Sequence, residues 1–103
     1  MTTADELPAQ MASNPDTVIV DTRSGIEFRR GHVPGAVHVP FWTAAFRSPT
    51  ASASTPVVVY CGHGPRAWIA RALFRWRGIR NVCLLDGHMA GWRRAGHLEQ
   101  TGR

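Results

Sequence analysis

The chain has 103 residues, 44% hydrophobic and 18% charged, a composition typical of one soluble globular domain with a single core. Its formal net charge is +5 and every basic residue is arginine, which excludes lysine Schiff-base chemistry. The arginines are scattered and no nucleic-acid-binding motif is present, so we expect small anionic ligands and no nucleic-acid partner.

The sequence predicts one domain over residues 1–103, with a helix and turn over 1–16 and a polar tail over 97–103. No apolar run reaches the length of a membrane span, and the acidic N-terminal segment has no apolar signal core. We therefore expect a cytoplasmic protein without a membrane partner, either monomer or homodimer. Two cysteines are too few for a disulfide framework.

The first third of the chain predicts a helix and then a buried strand. Thr3 with Glu6 fits a capping box, which indicates a helix over about residues 4–12. The run 17–20 is apolar and rich in β-branched residues, as in a buried strand.

Charged and capping residues follow this strand. Asp21 and Arg23 lie where open α/β sheets place functional groups, but ion-pair networks are commoner than catalytic ones. We therefore expect a structural ion pair that supports the site. Ser24 with Glu27 fits a second capping box, which predicts a short helix that ends at Gly31.

The middle of the chain is rich in turn residues. Residues 37–39 predict a short strand, residues 41–46 one or two packed helical turns, and residues 47–56 a surface connection. The run 57–60 is continuously apolar and predicts another buried strand.

The last part of the chain predicts a helix, a strand and a short helix, over 67–77, 81–85 and 88–95. Strands that alternate with helices predict a parallel sheet covered on both faces, an α/β layer fold. The residues expected to face the core are Ile69, Ala72, Leu73, Trp76, Met89 and Trp92.

The tryptophans and one cysteine are expected in the core. Core packing is the interpretation for Trp42, Trp76 and Trp92, while Trp68 is also a candidate for a pocket rim or a partner contact. Cys83 lies mid-strand among apolar residues, where a free cysteine behaves as a small hydrophobe.

The candidate site is the loop between the 57–60 strand and the following helix. A cysteine at a strand end, then glycines and a helix start, aims backbone N–H groups and a helix N-terminus at one sulfur. Both favour the nucleophilic thiolate. The sequence therefore predicts Cys61 as the nucleophile, in a loop formed by Gly62, His63, Gly64, Pro65, Arg66 and Ala67.

Other polar residues have less specific signals. Arg66 fits an anion contact and a structural ion pair equally well. His63 is interpreted as a site-lining residue, with a role as general base left open, and His32 as a supporting, structural residue. The spacing of Cys61, His63, Cys83 and His88 matches no common zinc module, so we expect neither a metal nor an organic cofactor.

Four segments, in order, resemble the single-domain rhodanese (sulfurtransferase) family. Residues 21–23 resemble the family's Asp-x-Arg, and residues 27–36 its Glu-Phe-x-x-Gly-His-Ile-Pro-Gly-Ala segment. Residues 59–67 resemble the active loop, and residues 85–92 the closing Leu-x-Gly-Gly-x-x-x-Trp region. The match extends over roughly residues 18–96.

The resemblance implies a three-layer α/β fold with a central parallel sheet of four or five short strands. It also implies that Cys61 carries a persulfide held by the loop amides, between a donor such as thiosulfate and an acceptor such as cyanide, a thiol or a protein. The sequence departs from the family at three positions: His88 replaces a glycine, Pro65 lacks an N–H, and Gly62 stands where some thiosulfate-using relatives carry a basic residue.

Two other classes of function compete with this interpretation. Phosphatases and arsenate reductases use Cys-x5-Arg loops, whereas Cys61 and Arg66 form a shorter Cys-x4-Arg loop with room for a single sulfur atom. A non-catalytic binding module would not need Cys61, and the retained cysteine argues against that class.

Overall fold

Four short parallel strands form the centre of the fold in the computed structural model. They lie in the order β2-β1-β3-β4, and their bounds are β1 Val18–Asp21, β2 Val37–His38, β3 Val57–Tyr60 and β4 Val82–Leu84. The structure describes residues 2–44, 46–47, 49, 51–62 and 64–102. All four residues of β3 are buried, because this central strand is covered on both faces.

The described residues form four helices and one 3₁₀ turn. The helices are α1 Leu7–Ser13, α2 Gly25–Arg30, α3 Pro65–Trp76 and α4 His88–Arg94, and the 3₁₀ turn is Phe41–Thr43. Helix α2, the 3₁₀ turn and α3 connect the strands, while α1 precedes β1 and α4 follows β4. The predicted capping box of α2 is confirmed, since the Ser24 hydroxyl accepts the Glu27 N–H and the Glu27 carboxylate accepts the Ser24 N–H, both at 3.3 Å. No helix in the described part of the chain is both long and apolar enough to cross a membrane.

Alternate side chains of the strands point into two separate cores. Val57 and Val59 of β3 pack with α3 in one cluster, whereas Val58 and Tyr60 pack with α1 and α4 in the other. The sheet is therefore the middle of three layers, as the sequence predicted.

The N-terminal segment differs from its prediction. The predicted contacts between Thr3 and Glu6 form, at 3.1 Å each, but they close a turn, and the helix begins only at Leu7. Thr2 meanwhile pairs with Leu85 in a single parallel bridge beside β4, where a fifth strand would lie.

The predicted core face of α3 was wrong. The helix buries Ala67, Ala70 and Phe74, while Ile69 is exposed and Trp76 is 77% exposed. Small alanines let the helix approach the sheet closely, and the loop before Pro65 sets the rotation of the helix. Of the predicted face, Leu73 packs partly against the core.

The prediction of core packing is wrong for Trp42 and Trp76, whereas the exposure of Trp68 agrees with its alternative prediction as a surface residue. Trp92 is buried and its Nε1 donates to the Leu98 carbonyl at 2.9 Å, but Trp42, Trp68 and Trp76 are exposed. The predicted packed turns over 41–46 shorten to the 3₁₀ turn, after which Phe46 is also exposed, and Ala45 lies outside the described residues.

The polar tail docks on the domain. The backbones of Gln100 and His32 exchange two hydrogen bonds, and the Gly102 N–H donates to the Arg29 carbonyl at 2.9 Å. This segment therefore covers the end of α2.

Candidate active site

Cys61 follows the last residue of β3 and is 1% exposed. Its Sγ accepts a hydrogen bond from the Gly64 N–H at 2.8 Å. Gly64 has a φ of 137°, a backbone conformation that residues other than glycine rarely adopt. The loop thereby presents a hydrogen-bond donor to any negative charge that develops on Sγ.

The same glycine starts α3. The Gly64 carbonyl accepts the N–H groups of Ala67 and Trp68 at 3.1 Å, and Pro65 occupies the first turn, where a missing N–H costs nothing. The helix therefore begins two residues earlier than predicted. Its N-terminus, with its partial positive charge, lies directly after the cysteine loop.

The first turn of α4 holds the other side of the loop. The N–H groups of Met89 and Ala90 donate to the carbonyls of Cys61 and Gly62, at 2.9 and 3.3 Å. The Cys61 N–H donates to Nδ1 of His88 at 3.2 Å. In sequence, His88 stood out as a departure from the family's glycine and as a rejected zinc ligand, and neither pattern predicted its contact with the Cys61 backbone.

Arg66 forms a two-point ion pair with Glu27. Its Nη1 and Nη2 lie 2.7 and 3.1 Å from the two carboxylate oxygens, and the side chains are 31% and 39% exposed. Hydrogen bonds, first from Arg66 and then from Ser24, hold the pKa of Glu27 at about 2. The pair also raises the pKa of Arg66, and the nearby Cys61 sulfur adds to that rise. Arg66 therefore lies between a carboxylate and the candidate nucleophile.

A cleft of about 500 Å³ reaches the loop at Gly62 and Arg66. Its other lining residues are Arg23, Glu27, Met89, Ala90, Arg93 and Arg94. Among the described residues, four arginines and one carboxylate line these walls. Carboxylates pair with three of the arginines, and the remaining positive charge favours anions.

The predicted ion pair of Asp21 and Arg23 forms and is buried, with exposures of 0% and 2%. Arg23 Nη2 lies 2.7 Å from the carboxylate and also donates to the Gly31 carbonyl at 2.7 Å. Burial alone would lower the pKa of Arg23, but the hydrogen bond to Asp21 and the negative charge of Asp21, with smaller contributions from Tyr60 and Glu27, together outweigh burial, and the pKa is raised. The pair ties the end of β1 to the loop after α2.

Tyr60 extends this buried network, and the sequence analysis missed it. Its hydroxyl accepts the Val33 N–H at 3.0 Å. Burial, and then the charge of Asp21, raise the pKa of Tyr60, so the phenol stays neutral. The hydroxyl end of Tyr60, the residue directly before Cys61, is therefore fixed by a hydrogen bond to the backbone of Val33.

The remaining predicted residues do not converge on the cleft. His32 is buried, its ring stacks on Phe28 at 3.7 Å, and its Nδ1 contacts the Phe28 carbonyl at 2.7 Å, which makes it structural. Cys83 is only partly buried, because it faces the edge near Thr2, and it packs in the cluster opposite Cys61. The predicted role of His63 lies outside the described residues.

The Glu27–Arg66 pair predicts a specific pH dependence of stability. Because the pKa of Glu27 falls from 4.5 to about 2 on folding, the pair stabilises the protein fully above pH 4.5 and loses this contribution towards pH 2. We expect Glu27→Gln to lower the free energy of unfolding near neutral pH by about 1 kcal/mol or less, since the pair is partly exposed.

Urea unfolding at about pH 6 and pH 2.5 would measure this difference, which should shrink at the lower pH. Glu99→Gln, which breaks the exposed pair with Arg93 at 3.2 Å, is the matched control. A difference between wild type and Glu27→Gln that stays constant with pH would contradict the assignment.

The chain is similar to known proteins in sequence and in fold. The family model described as Rhodanese-like domain matches residues 3–95. The thiosulfate sulfurtransferase GlpE of Pseudomonas fluorescens is 34% identical, over 82% of this chain and 78% of its own. The tRNA uridine(34) hydroxylase of Pectobacterium carotovorum is 36% identical over 82% of this chain, but only 25% of that longer protein.

Among solved structures, the Alr3790 protein from Anabaena superposes with a TM-score of 0.87 at 24% identity, over 98% of this chain and 82% of that one. This likeness concerns the fold. The family match extends over nearly the whole chain and includes all four segments in which the sequence resembles rhodaneses. The chain belongs to the rhodanese-like domain family.

Proposed function

We propose that this domain is a sulfurtransferase that carries a sulfane sulfur as a persulfide on Cys61. The observation that supports this most is the 2.8 Å hydrogen bond from the Gly64 N–H to Sγ of Cys61. A backbone donor aimed at a buried sulfur stabilises the anionic forms of that sulfur, which are the thiolate and the persulfide.

In the first half-reaction, the Cys61 thiolate attacks the outer sulfur of thiosulfate. A bond forms between Sγ and that sulfur, while the sulfur–sulfur bond of thiosulfate breaks and sulfite leaves with the electron pair. The enzyme is left as an anionic persulfide. Attacking and departing groups are all anions, so the site must reduce their mutual repulsion.

In the second half-reaction, a thiophilic acceptor attacks the outer sulfur of the persulfide. With cyanide, a carbon–sulfur bond forms, the persulfide bond breaks, and its electron pair returns to Sγ as the Cys61 thiolate. Thiocyanate leaves, so the two steps together convert thiosulfate and cyanide to sulfite and thiocyanate. A thiol or a protein thiol can act in place of cyanide.

Arg66 is proposed to contact the anionic donor. A guanidinium has five N–H donors, and Glu27 engages only two of its nitrogens, at 2.7 and 3.1 Å. The remaining donors are available to the sulfite group as negative charge grows there. The arginine-lined cleft would guide the donor to this position.

The test is the intact mass of the reduced protein after incubation with thiosulfate. We expect a gain of one sulfur atom, about 32 Da, that cyanide or dithiothreitol removes. Cys83→Ser is the matched control and should gain the same mass. No gain with thiosulfate or mercaptopyruvate, from folded and reduced protein, would overturn the catalytic proposal and favour a binding module.

A further inference from the structure

We propose that His88 is a positioning residue that holds the Cys61 backbone for sulfur transfer by accepting its N–H with a neutral imidazole. The inference rests on the proposed sulfurtransferase function. It concerns a side chain that acts through the loop rather than on the substrate itself.

The backbone of His88 is the first observation. Its φ is 53°, and among the described residues other than glycine it alone has a positive φ. Left-handed backbone is unfavourable for most side chains and is tolerated best by glycine, with asparagine, aspartate and histidine the commonest exceptions. The His88 side chain is buried in this uncommon conformation, so its contacts bear on why a histidine occupies the position.

The contacts of the ring are the second observation. Nδ1 accepts the Cys61 N–H at 3.2 Å. The Nε2 edge faces Gly64, where an added Cβ would lie 3.4 Å from Nε2. The imidazole therefore contacts both residues that determine the position of the sulfur. These are Cys61, which carries Sγ, and Gly64, whose N–H donates to Sγ.

The hydrogen bond also assigns the proton of the neutral ring. Because Nδ1 accepts, the proton of the neutral ring is on Nε2. The neighbouring Met89 N–H donates to the Cys61 carbonyl at 2.9 Å, so α4 holds both polar groups of this residue. Protonation of the imidazole would break the contact between the Cys61 N–H and Nδ1 of His88, but it would not affect the contact between the Met89 N–H and the Cys61 carbonyl.

A protonated His88 would place an N–H against the Cys61 N–H and break the hydrogen bond between them. Among the described residues, the ionisable groups on the elements next to His88 are the Cys61 thiol, Arg66 at the start of α3, Arg93 and Arg94 on α4, and the exposed Asp86 before α4. The arginines keep their charge across the acid range. We therefore expect protonation of His88 to add to the loss of activity on the acid side that protonation of the Cys61 thiolate itself causes.

Two variants distinguish the effect of the positive φ at residue 88 from the effect of the hydrogen bond between its side chain and the Cys61 N–H. His88→Gly relieves the strained φ but removes the acceptor, whereas His88→Asn tolerates the φ and keeps an oxygen acceptor at the δ position without a titrating ring. We expect His88→Gly to fold, since relief of the positive φ offsets part of the lost contact, and to form the persulfide about 10-fold more slowly or worse, because the Cys61 backbone is no longer held. His88→Asn should stay within about 3-fold of wild type near neutral pH and show a shallower acid limb, to which only protonation of the Cys61 thiolate contributes.

The measurement is single-turnover sulfite release from thiosulfate across about pH 5 to 8, together with melting temperature. A folded His88→Gly with the wild-type rate at every pH would overturn the proposal, as would a His88→Asn whose acid limb is as steep as that of the wild type. If His88→Gly does not fold, the His88→Asn profile decides alone.

Alkylation of Cys61 by iodoacetamide separates this proposal from the function on which it rests. The rate of alkylation reports the position and ionisation of the thiol without any sulfur donor. Suppose that the wild type forms no persulfide, but that His88→Gly and His88→Asn are alkylated at clearly different rates. This outcome would overturn the proposed function and support the role of His88. Equal alkylation rates in all three proteins would overturn the role of His88.

Discussion

Cys61→Ser is expected to abolish persulfide formation and sulfur transfer while leaving the domain folded. The serine hydroxyl stays protonated near neutral pH, so no anionic nucleophile remains, and we expect sulfite release to fall by at least about 10³-fold. The replacement is nearly isosteric, and the hydroxyl can still accept the Gly64 N–H. The free energy of unfolding should therefore change by about 1 kcal/mol or less.

Sulfite release and intact mass measure the first part of this prediction, and urea unfolding measures the second. Cys83→Ser makes the same atomic change at the partly exposed cysteine of the opposite cluster, and it should retain the wild-type rate. If sulfur transfer persisted in Cys61→Ser and disappeared in Cys83→Ser, the nucleophile would be Cys83 and the prediction would be wrong.

The strands were predictable because their signal is local. The run 57–60 consists of three β-branched valines and Tyr60, a pattern typical of a strand covered on both faces. The rotation of α3 was not predictable in this way, because Ile69 and Trp76 look like core residues in sequence yet are exposed. The anchored Gly64 loop and the close approach of Ala67 and Ala70 to the sheet determine that rotation.

The same distinction applies to the site. Cys61, Gly64 and Arg66 are neighbours in sequence, so their pattern alone predicted a loop that presents N–H groups to a sulfur. The contact from Cys61 to His88 joins residues 27 apart, and the contact from Arg66 to Glu27 joins residues 39 apart. No local pattern encodes either contact, since both arise from the parallel sheet that brings the ends of β1, β3 and β4 to one edge.

Breaking the buried ion pair is expected to cause the largest loss of stability. Arg23→Met would leave the Asp21 carboxylate fully buried and without the guanidinium that neutralises it, which costs about 3–5 kcal/mol. Domains of this size have a total stability of about 5–15 kcal/mol, so the variant should be near the limit of folding. Urea unfolding would show this loss as a much lower midpoint with an unchanged slope.

Two further variants test whether the uncompensated charge is the cause. Arg93→Gln breaks the exposed pair with Glu99 and should cost about 1 kcal/mol or less. The double variant Asp21→Leu with Arg23→Met removes both charges and should regain part of the lost stability, because no buried charge then lacks a partner. A loss for Arg23→Met no larger than that for Arg93→Gln would contradict a structural role for this pair. A double variant less stable than Arg23→Met alone would instead attribute the loss to the contacts of Asp21 with the backbone N–H of Arg23, at 2.8 Å, and with neighbouring strands.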